Sequence, residues 1–152
     1  DLFEKIISDL TLKFGFERTV IEIIYPFLEK IGVLWQTGNI SPAQEHFITH
    51  LIRQKIIVAI DALPLPPKTA RRVILYLPES ELHELGLLFY HYVIKRDGYR
   101  TYYLGQTVPY VDVKAVSEVH RPDFIITSFT STPTPQAMQG YVDRLCQEIY
   151  PA

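Results

Sequence analysis

The chain has 152 residues, of which 47% are hydrophobic and 21% are charged. Fifteen basic residues against seventeen acidic ones give a formal net charge of −2, and no basic arm or lysine-rich face is present that could grip nucleic acid. A single cysteine, Cys146, excludes an internal disulfide and a multi-cysteine zinc site and suits a reducing cytoplasm, and no apolar run is long enough to span a membrane.

Apolar side chains over residues 1–62 recur at helical spacing. They predict a helix over 1–12 and another over 18–31, in which Pro26 predicts a kink or a break. A longer helix is predicted from Pro42 to about residue 62. Ser41 is its N-cap, Pro42 is a proline at the first helical position, and Gln44 is the capping-box glutamine. We therefore expect a small four-helix bundle over 1–62.

The pattern changes after a proline-rich segment over 63–70, which predicts a linker. Continuous apolar runs then predict three buried parallel strands, over 73–77, 101–104 and 124–128. Helical patterns lie between and after them, over 84–95, 110–119 and 135–149. This alternation is typical of a doubly wound, flavodoxin- or Rossmann-like domain over 71–152. Such sheets usually have five strands, so we expect the C-terminal strands to be missing from this chain.

Three residues of the helical half stand out. Glu45 falls on the apolar face of the helix that begins at Pro42, where a carboxylate is costly unless it is paired. The simpler interpretation is a capping-related acid at the rim of the core. His46 lies at the edge of the same face. His46 and His50 have the i, i+4 spacing of a metal-binding pair, but no carboxylate or cysteine cluster completes a zinc site. Trp35 is either core packing or a flat lid over a planar ligand.

The loop after the first predicted strand carries the densest polar motif. Glu81 and His83 project to one side of an extended segment at the carboxyl end of the sheet, where α/β folds bind ligands. A carboxylate beside an imidazole fixes its tautomer and supports a metal-ligating histidine. Gly86, in the first turn of the next helix, indicates the close approach of something bulky. The plain alternative is an exposed polar loop.

Together these residues resemble a known family. The E-x-H-x-x-G pattern at 81–86 resembles the base-off/His-on cobalamin motif, with glutamate in place of the commoner aspartate. The W-x9-EH pattern at 35–46 resembles the helical-bundle signature of cobalamin-dependent MerR-type transcriptional regulators, including photoreceptor members. Segments 103–105, with 108–109, and 128–130 look like two further parts of the cobalamin-binding domain.

The resemblance implies a cobalamin-binding sensory domain in which His83 is the lower axial ligand of cobalt and Glu81 its hydrogen-bond partner. The nucleotide tail of the cofactor would lie in a groove of the α/β half, bordered by small or polar residues: Gly86, Gly105, Ser128 and Thr130. Such a protein is a switch and not an enzyme. The resemblance also implies a DNA-binding domain upstream of this chain and no membrane partner.

The upper face of the cofactor would be covered by Trp35, Glu45 and His46, where the light-sensing relatives hold the 5′-deoxyadenosyl group. Adenosylcobalamin is therefore the expected cofactor, and light would break its cobalt–carbon bond and change the contacts of a homo-oligomer. Gln36 stands where some photosensory relatives have a histidine. Two alternatives remain open: a corrinoid-carrying subunit of a methyltransferase system, and an interaction module that has lost its cofactor.

Overall fold

A computed structural model describes residues 2–130 and 134–149 of the chain. The chain divides into two compact units, a helical unit over Asp1–Ala62 and an α/β unit over Leu63–Ala152. The proline-rich segment over 63–70 falls at the start of the α/β unit. None of the helices in the described ranges is both long and apolar enough to cross a membrane.

The described part of the helical unit contains four α-helices, as predicted. They are α1 (Leu2–Phe14), α2 (Phe16–Thr19), α3 (Tyr25–Gln36) and α4 (Pro42–Asp61). Gly15 separates α1 from α2 with a φ of 84°, a left-handed conformation that glycine adopts without strain. The buried core of this unit is almost entirely branched aliphatic: Ile7, Val20, Ile24, Ile31, Ile52, Ile56 and Ile60.

The predicted interruption at Pro26 takes a different form in the structure. A π-helical turn, Val20–Ile24, joins α2 to α3, so the helical path continues from residue 16 to residue 36. Pro26 then lies in the first turn of α3. Proline has no N–H to donate to the preceding turn, and a π-helical turn shifts the hydrogen-bond register just before it. The helix thus accommodates Pro26 without ending.

Helix α4 begins with the predicted capping box. The Ser41 Oγ accepts a hydrogen bond from the Gln44 backbone N–H at 3.3 Å, and the Gln44 Oε1 accepts one from the Ser41 N–H at 2.8 Å. These two bonds satisfy donors that every helix start leaves unpaired. The helix start is thereby fixed one turn ahead of the residues that the sequence singles out on α4.

The α/β unit confirms the predicted fold class. Its described elements are β1 (Arg72–Pro78), α5 (Leu85–Arg96), β2 (Arg100–Val108), α6 (Tyr110–His120), β3 (Phe124–Thr127) and α7 (Pro135–Ile149). The three strands are parallel in the order β2-β1-β3, so β1 is the central strand. Each predicted strand and helix is present, and no end is shifted by more than four residues.

Strand β1 is buried on both faces. Ile74 and Tyr76 pack on one face against residues of α6 and α7, including Val113 and Leu145. On the opposite face Val73, Leu75 and Leu77 pack against Leu87 of α5. A strand covered by helices on both sides must be apolar at every position, which explains the unbroken hydrophobic run in the sequence.

A bulge in β2 shapes the carboxyl end of the sheet. Leu75 pairs with Tyr103, but Tyr76 pairs with Gly105, so Leu104 is an extra residue on β2. Gly105 has a φ of 83°, and Thr107 further along β2 has a φ of 53°. The left-handed region costs a side-chain-bearing residue energy, and such strain clusters at functional sites.

Candidate functional site

The candidate site is the loop over 79–84, which connects β1 to α5 at the carboxyl end of the sheet. The loop turns sharply after Pro78, whose carbonyl accepts a hydrogen bond from the Glu81 N–H at 3.0 Å. Ser80 in this turn has a φ of 69°. The turn therefore stores backbone strain directly before the motif residues.

The Glu81 carboxylate is buried, with 1% of its side chain exposed, and it accepts at least four hydrogen bonds from residues in the described ranges. Its Oε1 accepts from the backbone N–H groups of Leu82 at 3.0 Å and His83 at 3.1 Å, and it lies 2.7 Å from the His83 Nδ1. Its Oε2 accepts from the Thr130 N–H at 2.7 Å, beyond β3. A carboxylate can be buried at this depth because its lone pairs are satisfied.

This contact fixes the tautomer of His83. An ionised carboxylate only accepts hydrogen bonds, so Nδ1 carries the proton and Nε2 keeps its lone pair. The His83 side chain is 60% exposed, so Nε2 is available to a ligand. Within the described ranges no three histidine, cysteine, aspartate or glutamate residues are grouped as a metal site. The loop can thus supply one axial ligand to a metal that a macrocycle already holds.

A second buried acid lies on the other side of His83. Glu84 is 7% exposed, and its Oε2 accepts a hydrogen bond from the Tyr103 hydroxyl of β2 at 2.9 Å. The Gln106 side-chain amide donates a hydrogen bond to the Leu82 carbonyl. Tyr103 was expected here only as part of the segment over 103–105, and Glu84 and Gln106 were not expected at the site. One feature of the sequence could have indicated Glu84: it is a second acid directly after the histidine, and an ordinary exposed loop does not need an acid there.

The structure places the remaining expected residues of the α/β unit around the same edge. Gly86 lies in the first turn of α5, and a Cβ built on it would meet open space. Gly105 is the residue after the β2 bulge, and the half-buried Ser128 follows β3. Thr130 is exposed and contributes its backbone N–H to Glu81. Thr130 is thus joined directly to the Glu81–His83 pair, whereas Gly105 and Ser128 lie on opposite sides of β1.

A cavity of about 240 Å³ lies beside Glu81. Its walls are mostly apolar or aromatic and come from the ends of the strands and from α6 and α7: Pro78, Val108, Tyr110, Phe129, Ala137 and Tyr141. Tyr141 packs edge-on against both Tyr110 and Phe129. The cavity offers flat apolar surfaces next to Glu81, as small-molecule sites commonly do.

The helical unit carries the other expected residues. The Glu45 side chain is 28% exposed, so it lies at the rim of the core and not within it. Its Oε1 accepts a hydrogen bond from the Thr49 hydroxyl at 2.7 Å, and its Oε2 lies 2.8 Å from the Nδ1 of His46. Trp35 is 50% exposed near the end of α3, so its ring is not enclosed by the core. Both oxygens of Glu45 are thus oriented by neighbours on α4.

The chain combines a helical unit with a doubly wound unit that carries a buried carboxylate beside an exposed histidine. Comparisons with known proteins identify relatives of this chain. Residues 1–59 match the family model of the B12 binding domain. The chain is 30% identical over 128 residues to the HTH-type transcriptional repressor CarH of Myxococcus xanthus, covering 84% of this chain and 42% of CarH. It is 29% identical over 143 residues to the repressor CarA of the same organism, covering 94% of this chain and 48% of CarA.

Among solved structures, a cobalamin-binding protein from Desulfitobacterium hafniense aligns with 97% of this chain and 70% of that protein, at 18% identity and a TM-score of 0.46. The chain spans less than half the length of the two repressors. The resemblance expected from the motifs is confirmed: the chain is homologous to HTH-type transcriptional repressors, and its helical unit matches a B12 binding domain.

Proposed function

We propose that the chain is the cobalamin-binding regulatory region of a MerR-type transcriptional regulator, with His83 as the lower axial ligand of cobalt. The observation that carries the proposal is the buried Glu81 carboxylate at 2.7 Å from the His83 Nδ1, which leaves Nε2 free. The match of the helical unit to the B12 binding domain supports the same assignment.

The residues of the site fit this cofactor. The corrin ring of cobalamin holds cobalt through four nitrogens, so one protein nitrogen is enough to complete the lower side. Glu81 fixes the tautomer and the orientation of the imidazole, as carboxylates do for metal-bound histidines. Gly86 leaves open space beside α5, and the aromatic cavity next to Glu81 can take a flat ring of the nucleotide tail. We assign Gly105, Ser128 and Thr130 to the border of that groove.

In the helical unit, Trp35, Glu45 and His46 are proposed to cover the upper face of adenosylcobalamin. Each Glu45 oxygen keeps a lone pair free after its contact with Thr49 or His46, so the carboxylate can accept hydrogen bonds from ribose hydroxyls. The half-exposed Trp35 ring offers a flat apolar surface. Bound adenosylcobalamin supplies a cobalt–carbon bond that light can break.

The chain itself would bind the cofactor, orient it and change its own contacts when the cofactor changes. We therefore propose a switch and not an enzyme. Loss of the adenosyl group would take away the ribose hydroxyls that hydrogen-bond to Glu45 and the flat ring that packs on Trp35. The freed surfaces would then alter contacts between copies of the protein and so alter DNA binding through another domain. A regulator of transcription of this type acts in the cytoplasm.

The test is an absorption spectrum of the purified chain with adenosylcobalamin, in the dark and after green light, with gel filtration before and after. We expect the wild type to retain the cofactor with a nitrogen-coordinated spectrum, which changes on illumination together with the elution volume. His83→Ala should lose that spectrum, whereas His50→Ala, at an exposed position of α4, should keep it.

Other outcomes would contradict parts of the proposal. Binding without any light-dependent change in assembly would indicate a dark cobalamin sensor, and a preference for methylcobalamin would indicate a corrinoid-carrying subunit of a methyltransferase system. If the wild type failed to bind any cobalamin, an interaction module without cofactor would be the better explanation.

A further inference from the structure

The loop over 79–84 is attached to both neighbours of β1. On the β3 side, the Thr130 N–H binds Glu81. On the β2 side, the Tyr103 hydroxyl binds Glu84 and the Gln106 amide binds the Leu82 carbonyl. The proposed function gives the attachment on the β3 side a role, because Glu81 fixes the tautomer of His83. It assigns no role to the two attachments on the β2 side.

The Tyr103 hydroxyl is itself held in place. The Tyr103 ring stacks on His91 of α5, with centroids 5.0 Å apart and planes 8° apart. The Nε2 of His91 lies 2.9 Å from the Thr101 hydroxyl on the same strand. Tyr103 thus reaches the loop from a rigid position between β2 and α5.

The bulge in β2 lies between these two side chains. Leu104 is the extra residue, and the left-handed Gly105 and Thr107 bracket Gln106. Tyr103 comes before the bulge and Gln106 after it, and the two contact residues on either side of His83. Thr107 carries a side chain in the left-handed region, and such strain is retained where the surrounding contacts over-determine it.

We propose that Tyr103 and Gln106 are positioning residues, which hold the loop so that the His83 imidazole keeps one orientation above the sheet edge. Glu84 receives a hydroxyl donor from Tyr103 that offsets part of the cost of burying its carboxylate. Without that donor the carboxylate is held less firmly, and the backbone next to His83 becomes freer to move. The part of this inference that concerns cobalt coordination rests on the proposed function.

Hydrogen–deuterium exchange of the whole chain without cofactor tests the attachment. The variants are Tyr103→Phe, which removes only the hydroxyl, and Gln106→Ala. Tyr102→Phe is the matched control, because Tyr102 lies on the other face of β2 with its ring against His120. We expect the amides of Leu82 and His83 to exchange about tenfold faster in Tyr103→Phe and Gln106→Ala, and at the wild-type rate in Tyr102→Phe.

The absorption spectrum of bound adenosylcobalamin supplies a readout that a purely structural role would not move. At saturating cofactor, Tyr103→Phe should show a smaller fraction of nitrogen-coordinated cobalt than the wild type, and Tyr102→Phe the same fraction. Unchanged exchange in both Tyr103→Phe and Gln106→Ala would overturn the inference. Faster exchange with an unchanged spectrum would overturn the positioning role. If the wild type bound no cobalamin, the proposed function would fail while the exchange rates still decided the attachment.

Discussion

The Glu81 carboxylate and the His83 imidazole are 2.7 Å apart, yet one is buried and the other is not: 1% of the Glu81 side chain is exposed against 60% of the His83 side chain. The buried partner is fixed by backbone donors from its own loop and from beyond β3. The exposed partner therefore keeps a fixed orientation while its far nitrogen faces outward. A histidine that binds a metal axially needs both features: a buried partner that fixes its orientation and an exposed nitrogen that can reach the metal.

Replacing Glu81 tests how much of the loop depends on the buried carboxylate. Glu81→Ala leaves the Leu82, His83 and Thr130 donors without their acceptor, so we expect the free energy of unfolding to fall by about 1–3 kcal/mol. Glu81→Gln keeps one acceptor oxygen but places an amide N–H₂ opposite one of those donors, so its loss should be intermediate. Urea denaturation followed by circular dichroism measures both.

The control for Glu81 is Glu79→Gln, since Glu79 is an exposed acid of the same loop. Its free energy of unfolding should match that of the wild type to within about 0.5 kcal/mol. Equal losses in Glu79→Gln and Glu81→Ala would contradict the view that the four hydrogen bonds of Glu81 hold the loop.

Gly86→Ala should separate stability from cofactor binding. The position is helical and a Cβ there meets open space, so alanine should stabilise the chain without cofactor by up to about 1 kcal/mol. If the open space is kept for the nucleotide tail, the same methyl group should weaken adenosylcobalamin binding. Thermal unfolding and equilibrium dialysis give the two quantities, and unchanged or tighter binding would remove Gly86 from the proposed site.

Low pH should destabilise the α/β unit through His91. Burial, and to a smaller extent Lys95, lowers the pKa of His91 from its usual 6.5 to about 4. Between these values the unfolded chain binds a proton that the folded chain does not, so stability falls as the pH is lowered through this window. We expect a loss of about 1–2 kcal/mol, allowing for the partial exposure of the ring.

His91→Phe isolates this contribution, because it keeps a ring next to Tyr103 and cannot titrate. The difference in free energy of unfolding between pH 7 and pH 4.5 should be smaller in His91→Phe than in the wild type. Identical pH profiles would contradict the lowered pKa of His91, because they would mean that the folded and unfolded chains bind its proton equally.

Thr49→Val tests the orientation of Glu45. The substitution removes the 2.7 Å hydrogen bond to the Glu45 Oε1 while keeping the shape of the side chain. If Glu45 binds ribose hydroxyls, affinity for adenosylcobalamin should fall by about threefold to tenfold, whereas affinity for methylcobalamin should not change. Equal losses for the two cofactors, measured by titration in the dark, would contradict the assignment of Glu45 to the adenosyl group.

The sequence was sufficient for the architecture of the α/β unit and for the start of α4 in the helical unit, because these signals are local. The apolar run of β1 follows from its burial on both faces, and the capping box of α4 is a contact between neighbours in the chain. The π-helical turn before Pro26 was not predicted, because a one-residue change in hydrogen-bond register leaves the apolar spacing almost unaltered.

The candidate site was only partly predictable. The motif at 81–86 indicated the pairing of Glu81 with His83, but its burial depends on a backbone donor beyond β3. Tyr103 and Gln106 reach the loop through a bulge, and no periodicity in the sequence reveals a bulge. For Glu45, the helical wheel gives a direction but not a depth, and the first turn of α4 lies at the rim of its core.

The hydrogen bond from Thr130 to Glu81 spans 49 positions in the sequence. The loop over 79–84 therefore cannot make all its contacts until residue 130 has been synthesised. A chain is synthesised from its N-terminus, so His83 leaves the ribosome before either strand that pairs with β1. Bringing such distant residues together costs chain entropy before the contact can stabilise the fold. A nascent chain stalled just after α5 would carry the complete motif in its sequence while lacking the neighbours that orient its histidine.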